Sequence, residues 1–295
     1  MGITSPVREQ QPRINHVINV CSARDAGTWA VASRYIQQNI AADRYIVIVP
    51  DADVKLFEAH QVSAFNVIPE TAYVGGLRRQ IADRIPEKNS HRTGWYLQQF
   101  IKLKALTKGD AGTYSLLWDA DTIPLRKLSF IDGSGKLTFY KGHETHAPYF
   151  GPIERLLALE RQVPFSFIAQ CLPYKSDWAR ELIRAIEQRA QSPWIQALLG
   201  AIDFSEESGL SEYELLGTFA YRHYPHELAF TDRPWFRYGG SLVGEPENLR
   251  RWPYRHLIKR YDFISIEGWD KDRRMPKWLN CLNGLRMEWM TKGRL

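Results

Sequence analysis

Short β-branched runs alternating with helix-patterned segments constrain this chain more than any other feature of its sequence. Residues 14–21 (INHVINVC), 44–49 (RYIVIV), 65–68 and 114–118 (YSLLW) read as strands, and residues 29–38 as a helix between the first two. Such alternation predicts an α/β domain, a mostly parallel mixed sheet flanked by helices on both faces. Ligands of such sheets sit outside the carboxyl ends of the strands, so the residues that follow each run are the first candidates for chemistry.

From Thr93 the segment GWYLQQFIKLKAL puts Tyr96, Leu97, Phe100, Ile101 and Leu103 on one helical stripe, with Lys102 and Lys104 elsewhere. Residues 136–140 and 166–170 (SFIAQ) are expected strands. Ser176 is placed to cap a helix reaching about Arg189, in which Trp178, Leu182 and Ile186 recur every four residues. Residues 211–214 (SEYE) open another helix to about Tyr221. Residues 228–230, 236–239 and 263–266 are weaker strand candidates, and 277–290 a terminal helix behind Pro276. The expected organisation is a flexible N-terminus over 1–13, one domain over 14–245 and a less regular, basic, aromatic extension over 246–295 packed on it.

The 295 residues suffice for one large core. Three widely spaced cysteines, Cys21, Cys171 and Cys281, argue against a disulfide framework and suggest a reducing compartment. No run of 18 apolar residues occurs, and the polar N-terminus lacks the apolar stretch of a signal peptide; both fit a cytoplasmic protein. The net charge of +6 is uneven: residues 246–295 carry twelve Lys/Arg against six Asp/Glu, which accounts for the whole excess. Lys277, Trp278, Trp289, Lys292 and Arg294 in that stretch suit an anionic membrane surface, or else a solvated helix with its tryptophans packed inward.

Asp119 and Asp121 close the run LLWDADTIPL. In extended backbone, i and i+2 side chains share one face, so the pair can hold a hard cation, Mn²⁺ or Mg²⁺, completed by phosphate and water. The alternative is that Asp121 caps the turn with Thr122 and Pro124 while Asp119 merely ends the strand. A second pair, Asp51 and Asp53, follows Pro50 in a loop, where turn-forming is the simpler role.

A helix of the type GWYLQQFIKLKAL entering a strand that ends in WDADT resembles the core of GT-A-fold glycosyltransferases, especially a group of bacterial DxD-containing transferases. FYKGHETHAPYF, SFIAQCLPYKSDW and SEYELLGTFAY extend the resemblance over about residues 14–245. It implies a GT-A-like, Rossmann-type sheet and transfer of a sugar from a nucleotide-sugar donor to a glycan or lipid-linked acceptor. Asp119 and Asp121 match the metal-binding pair. The end of the first strand would hold the nucleoside, making Arg24 and Asp25 donor contacts. A bacterial role in surface polysaccharide assembly, in the cytoplasm or on the inner face of the membrane, follows from the resemblance alone.

Ser211 and Glu214 form S-x-x-E, a reciprocal capping box, and Glu212 is favoured at a helix start by the dipole. The resemblance places the general base of an inverting enzyme here; Glu212 is preferred because the cap already employs Glu214. His143, Glu144 and His146 have the wrong spacing for a zinc protease and, beside Tyr140, Tyr149 and Phe150, suit a carbohydrate acceptor, or an ordinary solvated loop. Arg92, just before the Thr93 helix, can meet a donor phosphate or remain solvated. His223, His226 and His256 are open candidates for a third metal ligand.

Three other functions compete. A haloacid-dehalogenase-type phosphatase needs D-x-D-x-T/V, whereas Ile123 holds the fifth position here. A nucleotidyltransferase shares the metal logic, but no G-x-G-x-R-type loop follows the first strand. A binding module for nucleic acid or anionic surfaces would use the basic aromatic end, yet the remaining residues are charge-balanced. Nucleic acid is therefore not an expected partner.

Overall fold

The computed structural model describes residues 12–60, 64–250 and 255–268. Nine strands occur among them: β1 (His16–Val20), β2 (Arg44–Val49), β3 (Phe65–Pro69), β4 (Tyr114–Trp118), β5 (Thr122–Pro124), β6 (Leu137–Tyr140), β7 (Cys171–Lys175), β8 (Leu228–Thr231) and β9 (Phe263–Ser265). Five of them build the central sheet in the order β3-β2-β1-β4-β7. Its first four strands pair in parallel, and β7 runs antiparallel against β4 with Leu116 opposite Pro173. This is the mixed, helix-flanked α/β architecture that the alternation of runs predicts.

Period-two side-chain alternation explains why both faces are covered. Ile18, Ile48 and Leu117 point into one core with the helices Thr93–Leu106, Ser176–Ala190, Trp194–Ala201 and Glu212–His223. Val17, Val47, Leu116 and Trp118 point into the other, with the helix Ala26–Asn39 and β9. Trp29 anchors that second core edge-on against Phe65, and its indole nitrogen donates to buried Asn19 on β1. Asn19 in turn donates to the Trp118 carbonyl at 2.6 Å, which ties together the two strand ends that carry Cys21 and Asp119.

Four local expectations are corrected. Residues 166–170 are irregular, because Ser166 and Phe167 turn to wrap the Glu214 carboxylate and Gln170 adopts φ +61°. The strand falls on the next five residues instead, where Pro173 is tolerated because β7 is an edge. Ser176 is the first helical residue and makes no cap; its buried hydroxyl has no partner among the described residues. Residues 236–239 form only isolated bridges, through Phe236 and Tyr238, before a short helix Gly239–Val243. The capping box is half made: Ser211 accepts from the Glu214 amide, but the Glu214 carboxylate goes to Ser166 and Phe167.

The described residues after 245 are woven into the domain. β9 pairs antiparallel with β5, and Phe263, Ile264 and Ile266 are buried in the second core. The expected helix over 277–290 and its membrane-facing residues Lys277, Trp278, Trp289, Lys292 and Arg294 lie outside the described residues, as does Cys281. Cys21 and Cys171 are free and buried.

Candidate active site

A cavity of about 640 Å³ opens at the carboxyl ends of β1 and β4, lined among others by Cys21, Asp25, Asp119, Asp121, Glu212 and Glu267. Asp119 and Asp121 reach it from a turn, not from extended strand. The chain leaves β4 after Trp118, the Asp119 amide donates to the Gln170 carbonyl, and the Thr122 amide closes back on the Asp119 carbonyl at 3.0 Å. Trp118 locks this turn by donating its indole N–H to the Thr122 carbonyl at 2.7 Å. β5 then pairs with β9, and the Ile266 amide donates to the Asp121 carbonyl, which brings Glu267 to the cavity beside the acidic pair.

Lys102 organises the floor. Its side chain is 4% exposed, and Nζ lies 2.6 Å from Asp119 Oδ1 and 2.7 Å from Glu212 Oε1. Burial alone would lower the lysine pKa; the two carboxylates outweigh it and hold the ammonium above its ordinary value. Tyr213 donates to the same Asp119 oxygen at 2.7 Å, and its ring lies 4.5 Å below Nζ. Among the described residues Asp121 is paired with no cation. Its Oδ1 takes the Ser265 hydroxyl at 3.2 Å and the Thr122 hydroxyl at 3.4 Å. Burial, then the charges of Glu267, Asp119 and Asp25, push its carboxyl up to about 8, against the pull of Ser265.

Glu212 opens its helix and faces the cavity, its amide donating to Gln99 Oε1 at 3.0 Å. Glu214 does not line the cavity. Ser166 donates to it at 2.5 Å, and burial raises its pKa against that bond. Gly217, one turn on, has to be glycine for this packing, since a Cβ there would sit 2.0 Å from the Phe167 ring.

One stripe of polar side chains, spaced three or four residues apart, carries the segment leading to Glu212. Asn89 donates to the Phe204 and Ser205 carbonyls. Arg92 donates to the Glu207 carbonyl at 3.0 Å and the Ser208 hydroxyl at 2.9 Å, and stacks on Trp95 at 4.0 Å. Tyr96 donates to the Glu206 carbonyl and accepts from the Gly209 amide. Gln99 and Lys102 finish the stripe on Glu212 itself.

The other candidates are distributed as follows. Arg24 and Asp25 line the cavity and pair with each other, the arginine 82% exposed. Glu144 lines it too, bonded to Tyr149 and to Arg237, which also holds Glu267 at 2.7 Å. His146 bonds the Ser208 carbonyl at 2.9 Å and packs on Tyr149, while His143 is exposed and, like His146, outside the lining. His223, His226 and His256 do not reach the cavity. Lys102, Gln99, Tyr213, Arg237 and Glu267 were missed by motif reasoning. For the first two, the spacing 89, 92, 96, 99, 102 was the available signal; Arg237 and Glu267 arrive through long-range pairing and had none.

The model of the Family of unknown function (DUF6492) matches residues 29–229. No curated protein matches the chain. Among solved structures it is similar to mouse xyloside xylosyltransferase 1, apo form, at 10% identity and a TM-score of 0.46 over 89% of this chain and 99% of that one. It is also similar to the galactosyltransferase LgtC in complex with donor and acceptor sugar analogs, at 12% identity and a TM-score of 0.47 over 86% of this chain and 87% of that one. A third similarity is to the WbbM bifunctional glycosyltransferase, at 13% identity and a TM-score of 0.44 over 90% of this chain and 47% of that one.

Proposed function

We propose that this chain, which belongs to the Family of unknown function (DUF6492), is a nucleotide-sugar-dependent glycosyltransferase with a GT-A-type active site. The observation that carries the reading is the acidic turn Asp119–Asp121 on the floor of a strand-end cavity large enough for a nucleotide sugar, with Glu212 on the same wall.

A divalent cation fits the donor set. Asp121 lies beside Glu267, Asp119 and Asp25 with no cation paired to it among the described residues, and the available donors are carboxylate oxygens, which suits Mn²⁺ or Mg²⁺. Asp119 and Asp121 would hold the ion. Among the described residues no three His, Cys, Asp or Glu side chains are gathered to hold one alone; substrate phosphate and water would complete its shell. When bound, the ion supplies Lewis-acid neutralisation of the diphosphate leaving group.

The chain's own residues do the rest. Arg24 and Asp25, after β1, take the donor side of the cavity. Lys102 fixes the Asp119 and Glu212 carboxylates relative to each other, so the donor and acceptor sides keep register. Glu212 is the group placed to accept the proton of the attacking hydroxyl in an inverting transfer; Glu214 is spent on Ser166 and Phe167. The acceptor, a glycan or lipid-linked sugar, lies toward Glu144 and His146. The resemblance of the sequence supports a role in bacterial surface polysaccharide assembly, at the inner face of the membrane. No helix among the described residues is long and apolar enough to cross a membrane.

The test is a thermal-shift panel of nucleotide sugars with Mn²⁺. One donor should raise the melting temperature selectively, because ligand bound only to the native state stabilises by mass action. Given that donor, Glu212→Gln should abolish transfer while leaving donor affinity nearly intact. A flat panel contradicts the proposal.

A further inference from the structure

The cavity's cationic side chains differ in what they are spent on. Arg24 pairs with Asp25, Arg78 with Glu70, Lys102 with Asp119 and Glu212, and Arg237 with Glu144 and Glu267. Arg92 is the exception among the described residues. Its partners are a carbonyl, a hydroxyl and the Trp95 ring, and no carboxylate lies within ion-pair distance. Two hydrogen bonds leave three of the five guanidinium N–H groups for a ligand. A half-buried guanidinium with no carboxylate in direct contact, and only the more distant Glu207 charge in its favour, is costly to desolvate, and a charge-assisted, bidentate bond to a ligand anion offsets that cost.

Where Arg92 stands decides which substrate it meets. Ser208, whose hydroxyl it holds, gives its carbonyl to His146, and His146 packs on Tyr149, which donates to Glu144. Arg92 therefore belongs to the wall assigned above to the acceptor, together with the segment that ends in Glu212. Trp95, also in the lining, offers an apolar face beside it for a sugar ring.

We infer that Arg92 and Trp95 form a subsite for an anionic group on the acceptor, a phosphate or carboxylate carried by the sugar that is glycosylated. This reading moves Arg92 from the donor to the acceptor and rests on the transferase proposal for the word acceptor, though the binding site itself stands without it.

The experiment is isothermal titration of the full chain with glucose, glucuronate and glucose 1-phosphate, and separately with UDP and GDP in Mn²⁺. The expected result is anionic sugars binding at least about tenfold tighter than glucose, an advantage that shrinks with added KCl and is lost in Arg92→Gln. Arg92→Lys keeps the charge but not the fork, and should retain only part of the preference. Asn89→Ala removes the bonds that hold Phe204 and Ser205 in the same segment without touching the guanidinium, and should keep the preference, which separates anion recognition from loop support. Glucuronate over glucose 1-phosphate would identify a carboxylate, the reverse a phosphate. Equal binding of charged and neutral sugars, or a preference that survives in Arg92→Gln, overturns the inference. So does loss of UDP or GDP affinity in Arg92→Lys with sugar binding unchanged, since Arg92 would then serve the donor. Failure of both nucleotides in the wild type would instead count against the transferase reading, and the sugar titrations would still decide the subsite.

Discussion

The chain contains the same short motif twice, and the two copies have opposite fates. Asp51 and Asp53 follow β2 and are consumed by backbone: Asp51 takes the Thr71 amide and hydroxyl, and Asp53 the Ala23 amide. They stitch the loops after three strands together and are not among the residues that line the active-site cavity. Asp119 and Asp121 follow β4, and their partners are an ammonium, a phenol and two hydroxyls, with further charge crowded around Asp121. The lesson is that a D-x-D motif acquires its surroundings from what approaches it, here Lys102 from one helix and Glu267 from the segment after β9, rather than from its spacing.

The sharpest way to break that contrast is to remove the cation. Lys102→Met leaves Asp119 and Glu212 facing each other uncompensated, and should cost about 3–5 kcal/mol of stability, as for other broken buried pairs. Urea unfolding measures this, and a loss under about 1 kcal/mol would mean that Lys102 does not hold the floor together. The next effect is on chemistry: Asp121→Ala should lower transfer by about 100-fold or more, roughly 2.7 kcal/mol, once the donor is known.

A pH effect sharpens the comparison further. The Asp121 carboxyl, at about 8, lies above its ordinary value of 3.8, so the folded state holds that proton more tightly than the unfolded chain. Its stabilising contribution is fully present below about pH 4 and is lost as pH rises through 8. Melting temperature without added metal should therefore fall between about pH 5 and 8 and level off above 8, Asp121→Asn should flatten this fall, and Mn²⁺ should reverse it in the wild type. The smallest effect belongs to the other motif. Asp51→Asn should cost about 1 kcal/mol or less in stability and leave Mn²⁺ binding unchanged.

How much of this was legible follows from the range of the interactions. β2 and β4 were readable to the residue because their β-branched and apolar runs end at Pro50 and Asp119. Residues 166–170 were misread because SFIAQ has strand composition but is bent around a buried carboxylate 48 positions away. Lys102 was set apart from the core by helical periodicity, although it is buried; its role becomes visible only when the helix Glu212–His223 packs beside it. Glu267 owes its place to the pairing of β5 with β9, and Arg237 to the bridges of Phe236 and Tyr238 with Ile264 and Ile266, which no local pattern records. Arg92 reads as an anion candidate from its place before the Thr93 helix, but its side of the cavity depends on Ser208, which sequence reasoning could not place.

The central claim is that the Asp119–Asp121 turn, and not its twin, receives a cation together with a nucleotide. Electron paramagnetic resonance of free Mn²⁺, titrated with the full chain and the nucleotide sugar selected by thermal shift, tests it directly. The account predicts that the free-ion signal is quenched by the wild type and by Asp51→Asn, and that it persists with Asp121→Ala. Quenching that survives in Asp121→Ala, or that disappears in Asp51→Asn, would contradict it.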